Sequence, residues 1–404
     1  MRRVTDPRPR LRPRRTPPLW ALVAASVVAW TAVGAFLVHQ SPHGVLTDFA
    51  VYRDAARNML HGGATYRAHF TPAHLVFTYP PFALLVLTVV TIGPPAVALA
   101  GWCLVSCAAL VGVVALAISA TFDLPRRRLV AASFALSGVA CLALEPLRST
   151  LDFGQINFLL MGLVALDLVG PASLLRGVGT GLATALKLTP AVYALSFVVA
   201  RDRASLARAA GAAAAATGVA WLVLPGDSRL FWFHQAFNPG RKGGSRSVAN
   251  QSWLGLIGHF SSRLSPAVVI TWAIASAVTL AIGVVLARRY ARTARPVDAL
   301  LALALTELLV SPISWSHHWS WIVLLPVLLA VRQVRARCVE VAMVVVLAVA
   351  VAEPYKWFHE SWYLHAWWRV LPGYSLLLSG AVLLAVMAYV ELRRVPSAAS
   401  INPT

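Results

Sequence analysis

Long apolar runs repeat along this chain of 404 residues, and most of them approach the length of a membrane-spanning helix. An α-helix of about 20 residues crosses the hydrocarbon core of a bilayer, which is about 30 Å thick. The runs are too long and too uniformly apolar for the alternating strands of a membrane barrel. The sequence therefore predicts an all-α polytopic membrane protein with about 11–12 transmembrane helices.

Composition and charge agree with this class. Hydrophobic residues make up 58% of the chain and charged residues only 12%, whereas soluble domains carry about a quarter charged residues. A formal net charge of +20 would suggest nucleic acid as the partner of a soluble protein. In a membrane protein it indicates topology instead, because positive residues collect in cytoplasmic loops. The four cysteines lie within apolar runs, where neither a zinc site nor a disulfide framework is expected.

The arginine clusters predict the orientation. Residues 1–18 hold seven arginines and five prolines, which predicts a disordered cytoplasmic tail. The run 19–38 resembles an uncleaved signal anchor, since it is too long for a signal peptide and lacks a cleavage site. A single transmembrane domain over 19–392 then ends in a second cytoplasmic tail, 393–404. With this orientation every dense arginine cluster lies inside and the unusual polar motifs lie outside.

Two apolar stretches are too short or too interrupted to span. The stretch 82–92 is bounded by prolines on both sides and is predicted to be re-entrant or interfacial, buried against protein. The segment 177–200 is interrupted by Lys187 and Pro190. It is predicted to form a hairpin that enters from the cytoplasmic side and returns there.

The first outer loop, residues 39–81, contains the strongest catalytic candidate. Asp48 lies in a T-D-F-x-x-Y motif just after the first apolar run, where a carboxylate can serve as a general base. A solvated loop aspartate, or a helix cap before Phe49, explains the same residue.

Lys187 is the most unusual single residue. A lysine inside an apolar segment is costly unless it is paired, and it suggests function. It is suited to binding a phosphate as a point charge. Snorkelling, or a structural ion pair with Glu307 or Asp152, is the alternative.

Three further segments place polar groups at the predicted outer face. LRSTLDFGQINF (147–158) offers Arg148, Asp152, Gln155 and Asn157; capping explains the aspartate but not the two amides. The long outer loop 225–265 holds Arg241, Lys242 and Arg246 among glycines, followed by Asn250 and Gln251. Such a loop suits an anionic head group, and a plain solvated loop fits equally well. In SPISWSHHW, His317 and His318 lie between Trp315 and Trp319, where aromatic rings suit sugar stacking or an interfacial belt.

The joint order of these motifs resembles a known family. TDFxVYxxAAxxxxxGxxxY, FTYPPF, LDFGQINFLL, ALKLTP, a basic loop ending in NQS, and SPISWSHHW resemble the polyprenol-phosphate-mannose-dependent α-1,2-mannosyltransferases of glycosyltransferase family 87, which belong to the C-fold class. The resemblance implies an inverting enzyme of the plasma membrane whose active site faces the periplasm. It implies mannose transfer from polyprenyl-phosphate mannose to a phosphatidylinositol mannoside or lipomannan. Other members transfer arabinofuranose, and this alternative stays open.

The resemblance also implies roles for individual residues. Asp48 matches the essential acid of the first outer loop, and the histidine pair matches an active-site histidine without indicating which of the two it is. A single aspartate in place of a D-x-D pair implies no metal, and no cofactor is expected. We expect a monomer that binds membrane lipids and no nucleic acid. A lipid or solute transporter is the rival class, but it would favour internal repeats, and none is evident.

Together these considerations predict a set of site residues. Asp48, His317 and His318 are the catalytic candidates. The candidates for holding the donor phosphate are Lys187, Arg241, Arg246 and Arg148. The candidates for sugar or acceptor binding are Tyr52, Tyr79, Asp152, Gln155, Asn157, Asn250, Gln251, Trp315 and Trp319.

Overall fold

The computed structural model describes residues 17–40, 46–72, 74–171, 173–236, 245–261, 263–331, 335–357 and 367–394. Across these residues the regular structure is helical, and an isolated β-bridge joins Phe70 to Leu75. The predicted all-α class is therefore confirmed. Most of both predicted tails, namely 1–16 and 395–404, lies outside the described residues.

Eighteen α-helices occur in the described residues. In chain order they are α1 Leu19–Gln40, α2 Thr47–Leu60, α3 Pro81–Leu87, α4 Pro95–Thr121, α5 Arg126–Ala143, α6 Glu145–Asp152, α7 Asn157–Leu168, α8 Val178–Leu186, α9 Leu195–Val199, α10 Arg203–Val223, α11 Pro225–Leu230, α12 Trp253–His259, α13 Pro266–Arg292, α14 Pro296–Val310, α15 Leu324–Leu329, α16 Arg337–Ala352, α17 Val370–Gly373 and α18 Ser375–Arg393.

Six of these helices are long and apolar enough to cross a bilayer, among the residues that the structure describes: α1, α4, α10, α13, α16 and α18. A seventh results if α5 and α6 are counted together as one bent span. The polytopic architecture is confirmed, but the predicted 11–12 full spans are not found by length. Shorter helical elements account for part of the difference, among them α7, a helix of 12 residues, and a 3-10 helix, Ser316–Val323, that continues into α15.

The chain turns sharply between α5 and α6, whose axes differ by 84°. Pro146 is the second residue of α6, and since it has no N–H and crowds the preceding turn it cannot continue the α5 hydrogen-bond ladder. The short helix α6 therefore leaves the direction of α5. It carries Arg148 and Asp152 away from the line of α5.

Arginines gather at one end of the bundle. Helices α1 and α5 start together and run parallel, since Ser26 donates to the Ala131 carbonyl at 3.3 Å and Trp30 to the Phe134 carbonyl at 3.0 Å. At the corresponding ends of other helices, Arg295 binds both Asp298 and Glu391. The positive turns thus share one end, as the positive-inside rule requires, and the polar motifs gather at the other.

The predicted hairpin between 177 and 200 is present. Helix α8 leads to Lys187, and a 3-10 helix, Thr189–Ala194, continues into α9 and brings the chain back to α10. The return is seen in side-chain contacts, because Arg208 donates to the Arg176 carbonyl at 2.7 Å and the Arg176 guanidinium lies 5.8 Å from the Phe197 ring centroid. Lys187 therefore lies at the tip of the hairpin, away from the arginine end.

Helix α2, within the predicted first outer loop, is folded against the short segment predicted to be re-entrant. That segment is α3 followed by a 3-10 helix, Thr88–Thr91. Arg53 of α2 is buried and donates to the carbonyls of Val90 and Gly93, the latter at 2.9 Å. These bonds satisfy two backbone oxygens that would otherwise be left at the helix end. They fix α2, and hence Asp48, relative to the bundle.

Candidate active site

Asp48 lies in the first turn of α2, and the start of that helix docks on the corner between α6 and α7. The backbone N–H groups of Asp48 and Phe49 both donate to the Phe153 carbonyl, at 3.0 and 3.2 Å. Gly154 has φ +67°, and a Cβ there would lie 2.8 Å from the Phe49 Cβ. Only glycine fits this position without strain, so the conformation of the corner places the aspartate.

The Asp48 carboxylate is held by an amide that is itself held by two tyrosines. Gln155 Nε2 donates to Asp48 Oδ2 at 2.5 Å. The Gln155 Oε1 atom accepts from the hydroxyls of Tyr52 and Tyr79, at 3.1 and 3.0 Å. Gln155 and both tyrosines, predicted to bind sugar, are thus engaged in a hydrogen-bonded group beneath Asp48.

The environment of Asp48 tunes its acidity. Asp48 lies between α1 and α3, outside the membrane-spanning segments. Burial of the carboxyl raises its pKa to about 6, while the Gln155 hydrogen bond and the Lys187 charge act in the opposite direction. At neutral pH the group is therefore largely ionised and still basic enough to accept a proton, which suits a general base.

Lys187 lies where α8 ends. Its backbone is extended, with φ −150° and ψ 129°, so its side chain leaves the helix surface. The ammonium group donates to Asn157 Oδ1 at 3.2 Å and lies 3.0 Å from His318 Nε2. It also lies 5.7 Å from the centre of the Tyr79 ring. Lys187, Asn157 and His318 are thus adjacent to the group that holds Asp48.

The two histidines have different surroundings. His318 is half-buried and faces Lys187. His317 is buried, with its ring packed on Phe153 at 5.4 Å between centroids. Its carbonyl accepts from Thr150 at 2.9 Å and from Asn157 at 3.0 Å. Its Nε2 is buried with no hydrogen-bond partner among the described residues. The structure therefore places His318 beside the cation and His317 against the Asp48 corner.

Arg148 is engaged elsewhere. It pairs with Glu353 and donates to the Leu142 carbonyl at 2.8 Å. Lys356 joins the same cluster and binds the buried carboxylate of Glu145 at 2.5 Å. Arg148 therefore belongs to an ion-pair group that connects α6 to the segment after α16. None of these bonds reaches Lys187, Asn157 or His318. Asp152, on the same helix, is partly buried, and the charges of Lys356 and Arg148 act on it.

The NQS segment has a structural role in this fold. Asn250 is fully buried; its amide donates to the carbonyls of Ser245 and Pro312 and accepts from the Ser314 N–H. Gln251 is equally buried, and its amide binds backbone groups of Gly373 and Leu377. Both side chains are used on backbone groups and hold the segment before the histidine pair, so neither has the exposed amide that was predicted to bind sugar.

The remaining candidates are also accounted for. Arg246 donates to the Ser261 carbonyl at 2.6 Å and so steadies its own loop rather than the Lys187 group. Arg241 lies outside the described residues. Trp319 is fully buried and packs against Gly380, so it belongs to the core, whereas Trp315 is only half-buried.

Sequence reasoning missed two features near the site, a buried carboxylate and a small cavity. Glu145 accepts from Tyr355 at 2.6 Å and from Ser316 at 3.0 Å, which links α6 to the histidine segment. Its signal was a carboxylate at the end of an apolar run. The second is a cavity of about 30 Å³ lined in part by Lys187, His318, Glu307 and Tyr193. Tyr193 donates to Glu307 at 2.7 Å. A cavity of this size is enough for about one water molecule.

No group of three or more metal-ligating side chains is arranged for a metal ion in the part of the chain that the structure describes. Independence from metal stays a prediction.

A partly buried carboxylate with a lysine nearby, on a polytopic helical bundle, indicates a functional site. The profile of glycosyltransferase family 87 matches residues 77–312, more than half of the chain. The chain belongs to glycosyltransferase family 87, which confirms the resemblance and makes it a multi-pass membrane glycosyltransferase.

Curated relatives cover most of the chain. The polyprenol-phosphate-mannose-dependent alpha-(1-2)-phosphatidylinositol pentamannoside mannosyltransferase of Mycobacterium tuberculosis strain CDC 1551 is 32% identical, over 97% of this chain and 92% of its own length. The protein of the same name from Mycolicibacterium smegmatis is 34% identical, over 77% of this chain and 74% of its own length. A phosphatidylinositol mannoside mannosyltransferase of M. tuberculosis strain H37Rv is 31% identical, over 88% and 86%. No solved structure matches the chain significantly, so the C-fold class stays a prediction.

Proposed function

We propose that this chain transfers mannose from polyprenyl-phosphate mannose to a phosphatidylinositol mannoside, forming an α-1,2 linkage. The observation that supports it most is the single connected group of side chains that joins an acid to a cation. Asp48 binds Gln155, Gln155 binds Tyr79, and the Tyr79 ring lies beside Lys187. The names of three relatives, which share the donor and the type of linkage, support the choice of substrates.

Asp48 is the general base in this proposal. Its carboxylate takes the proton of an acceptor mannose hydroxyl while the hydroxyl oxygen attacks the anomeric carbon of the donor. The bond from that carbon to the phosphate oxygen breaks in the same displacement, so the anomeric configuration inverts. A pKa of about 6 keeps the base ionised at neutral pH, and general base catalysis of this kind contributes about 10²–10⁴-fold to the rate.

Lys187, with His318 beside it, stabilises the leaving group in this proposal. The polyprenyl phosphate departs with the electron pair of the broken bond, and a cation beside the phosphate oxygens stabilises the charge that develops there. Lys187 supplies that cation, and Asn157 and His318 hold its ammonium in place. Trp315 and Asp152, both partly accessible at this end, are the remaining candidates for contact with a sugar.

The sidedness follows from the charge pattern. The arginine end of the bundle faces the cytoplasm by the positive-inside rule, so both chain termini lie inside and the Asp48 group faces the outer side of the plasma membrane. Lipid-linked donor and acceptor then approach from the outer leaflet, and the protein acts as a monomer without a metal or cofactor.

The test is a transfer assay with the purified protein in detergent, in the presence of a chelator. Labelled polyprenyl-phosphate mannose is offered with phosphatidylinositol mannosides of increasing mannose number, and labelled polyprenyl-phosphate arabinose with an arabinan acceptor. We expect an α-1,2-mannosylated lipid as the product. Transfer of arabinose alone would overturn the donor assignment and leave the family intact. If a well-folded protein transfers sugar from neither donor, the transporter alternative would be favoured.

A further inference from the structure

The hydrogen bonds around Gln155 determine how its amide is oriented. Three close oxygen pairs meet here: Tyr52 with Tyr79 at 2.9 Å, and each hydroxyl with Gln155 Oε1. Burial raises the pKa of both tyrosines, so both hydroxyls stay protonated. At most one of the two protons serves the tyrosine pair, and at least one therefore points to Gln155.

The reverse orientation of the amide is unfavourable. It would place the Gln155 carbonyl oxygen 2.5 Å from Asp48 Oδ2, which would bring two acceptors together without a proton between them. The tyrosine hydroxyls thus fix which atom of Gln155 faces the carboxylate. That atom is the amide nitrogen, a donor that cannot act as a base.

The Gln155 amide also gives the two carboxylate oxygens of Asp48 different surroundings. Oδ2 accepts from Gln155, whereas Oδ1 accepts no hydrogen bond from any residue that the structure describes. The backbone of Asp48 is fixed at the same time, through its N–H bond to Phe153 at 3.0 Å. The carboxylate is therefore anchored through its backbone and one oxygen, and its other oxygen is left for a proton.

We infer that Gln155, oriented by Tyr52 and Tyr79, is a positioning residue that holds Asp48 by Oδ2 and directs Oδ1 to the acceptor hydroxyl. This inference rests on the proposed function and adds to it. In this inference Gln155 positions the base and does not bind the sugar. A hydrogen bond to the charged form of a carboxyl lowers its pKa, so the same contact keeps Asp48 ionised within its buried setting.

The other charges that act on Asp48 are few. Lys187 lowers its pKa, and Tyr52 and Tyr79 are its titratable neighbours. Helix α3 and the 3-10 helix after it carry no titratable side chain. Two further titratable residues adjoin Phe153. Asp152 precedes it in the chain, and the His317 ring packs on the Phe153 ring. Removal of the Gln155 donor therefore changes the pKa of Asp48 without altering a formal charge.

The test compares the pH dependence of kcat/KM for wild type, Gln155→Leu, Gln155→Glu and Tyr79→Phe. The wild-type rate rises with pH as Asp48 ionises. In Gln155→Leu we expect this rising limb to move upward by about one pH unit. The rate at pH 6 then falls about five-fold more than the rate at pH 8.5. In Gln155→Glu the limb moves at least as far, because two adjacent carboxylates repel. Tyr79→Phe keeps the Tyr52 bond and moves it less.

Controls separate this role from general damage. Gln235→Leu removes one hydrogen bond to the Tyr66 carbonyl, 3.1 Å long and without contact to Asp48, and should leave the limb unmoved. A loss of rate that is equal at all pH values in both Gln155 variants would overturn the positioning role. If Gln155→Leu fails to fold, an unmoved limb in Tyr79→Phe would overturn it as well. Failure of the proposed function is distinguishable, because the wild type itself would then not transfer mannose.

Discussion

At the scale of single residues, Lys187 shows how a charge is accommodated within an apolar chain. The extended backbone at the end of α8 directs the side chain into a polar group, where Asn157 and His318 bind it. The sequence predicts a functional lysine, with snorkelling or an ion pair to Glu307 or Asp152 as the alternative. These two hydrogen bonds join it to an amide and an imidazole, so the charge is held without being neutralised by those partners.

Replacing Lys187 tests its role toward the donor phosphate. We expect Lys187→Met to lower kcat/KM by about 10²–10³-fold, because the developing phosphate charge loses its cation. Lys187→Arg should recover part of the loss. Kinetics over a range of donor concentrations provides the measurement. Arg67→Met is the matched control, since Arg67 is an exposed cation of the same outer loop; an equal loss in this control would point to general surface charge instead.

Individual residues also show where sequence reasoning ended. Asp48 could be proposed as the base from its motif, because the position of a carboxylate after a spanning helix is visible in the sequence, and its role stays a prediction. The roles of Asn250 and Gln251 were not, because an amide near a membrane boundary looks the same whether it meets a sugar or a backbone carbonyl. Only the fold shows that both are buried and used on backbone groups.

At the scale of elements, the corner between α6 and α7 positions the base. It presents the Phe153 carbonyl to the start of α2, and the Trp102 indole donates to the Gly154 carbonyl at 2.8 Å. The corner thus joins α2, α4 and α7 at one place. A change in its backbone should move Asp48 without touching its side chain.

Gly154→Ala tests the corner directly. Alanine at φ +67°, with its Cβ 2.8 Å from the Phe49 Cβ, costs about 1–3 kcal/mol of backbone strain. We expect a lower thermal unfolding temperature in detergent and a lower kcat. Gly34→Ala is the matched control, because a Cβ at Gly34 of α1 meets nothing within 4 Å and alanine favours a helix. Identical behaviour of the two variants would contradict the role given to this corner.

The predictability of the elements depended on their length. Long apolar runs form the full-length helices α1, α4, α10, α13, α16 and α18, since each must satisfy its backbone internally in lipid. The sequence did not reveal that α7 has only 12 residues or that α6 turns by 84° from α5. Pro146 accounts for the break between α5 and α6, but the angle of that break and the length of α7 depend on packing against neighbouring helices, which apolar composition does not encode.

At the scale of the whole molecule, the two ends of the bundle have different tasks. One end holds the polar group around Asp48 and Lys187. The opposite end holds Asp298, which is buried and binds Arg295 at 2.9 Å and Arg335 at 2.6 Å. This ion-pair group connects α14 with the turn before α16.

Asp298→Asn separates stability from catalysis. Removing one partner of a buried ion pair leaves uncompensated charge and costs about 3–5 kcal/mol. We expect a marked fall in the unfolding temperature with little change in the donor KM of the folded fraction. Asp123→Asn, at an exposed aspartate of the α4–α5 turn, should change stability little. A large rise in donor KM with unchanged stability would contradict the division between the two ends.

The most direct test of Asp48 as the base is the pH dependence of mannose transfer by wild type and Asp48→Asn, with donor binding measured on both. We expect a wild-type kcat/KM that rises around pH 6, the pKa of Asp48. In Asp48→Asn, kcat should fall by about 10²–10⁴-fold and lose that dependence, while the donor still binds. Near-wild-type turnover by a folded Asp48→Asn protein would contradict Asp48 as the base.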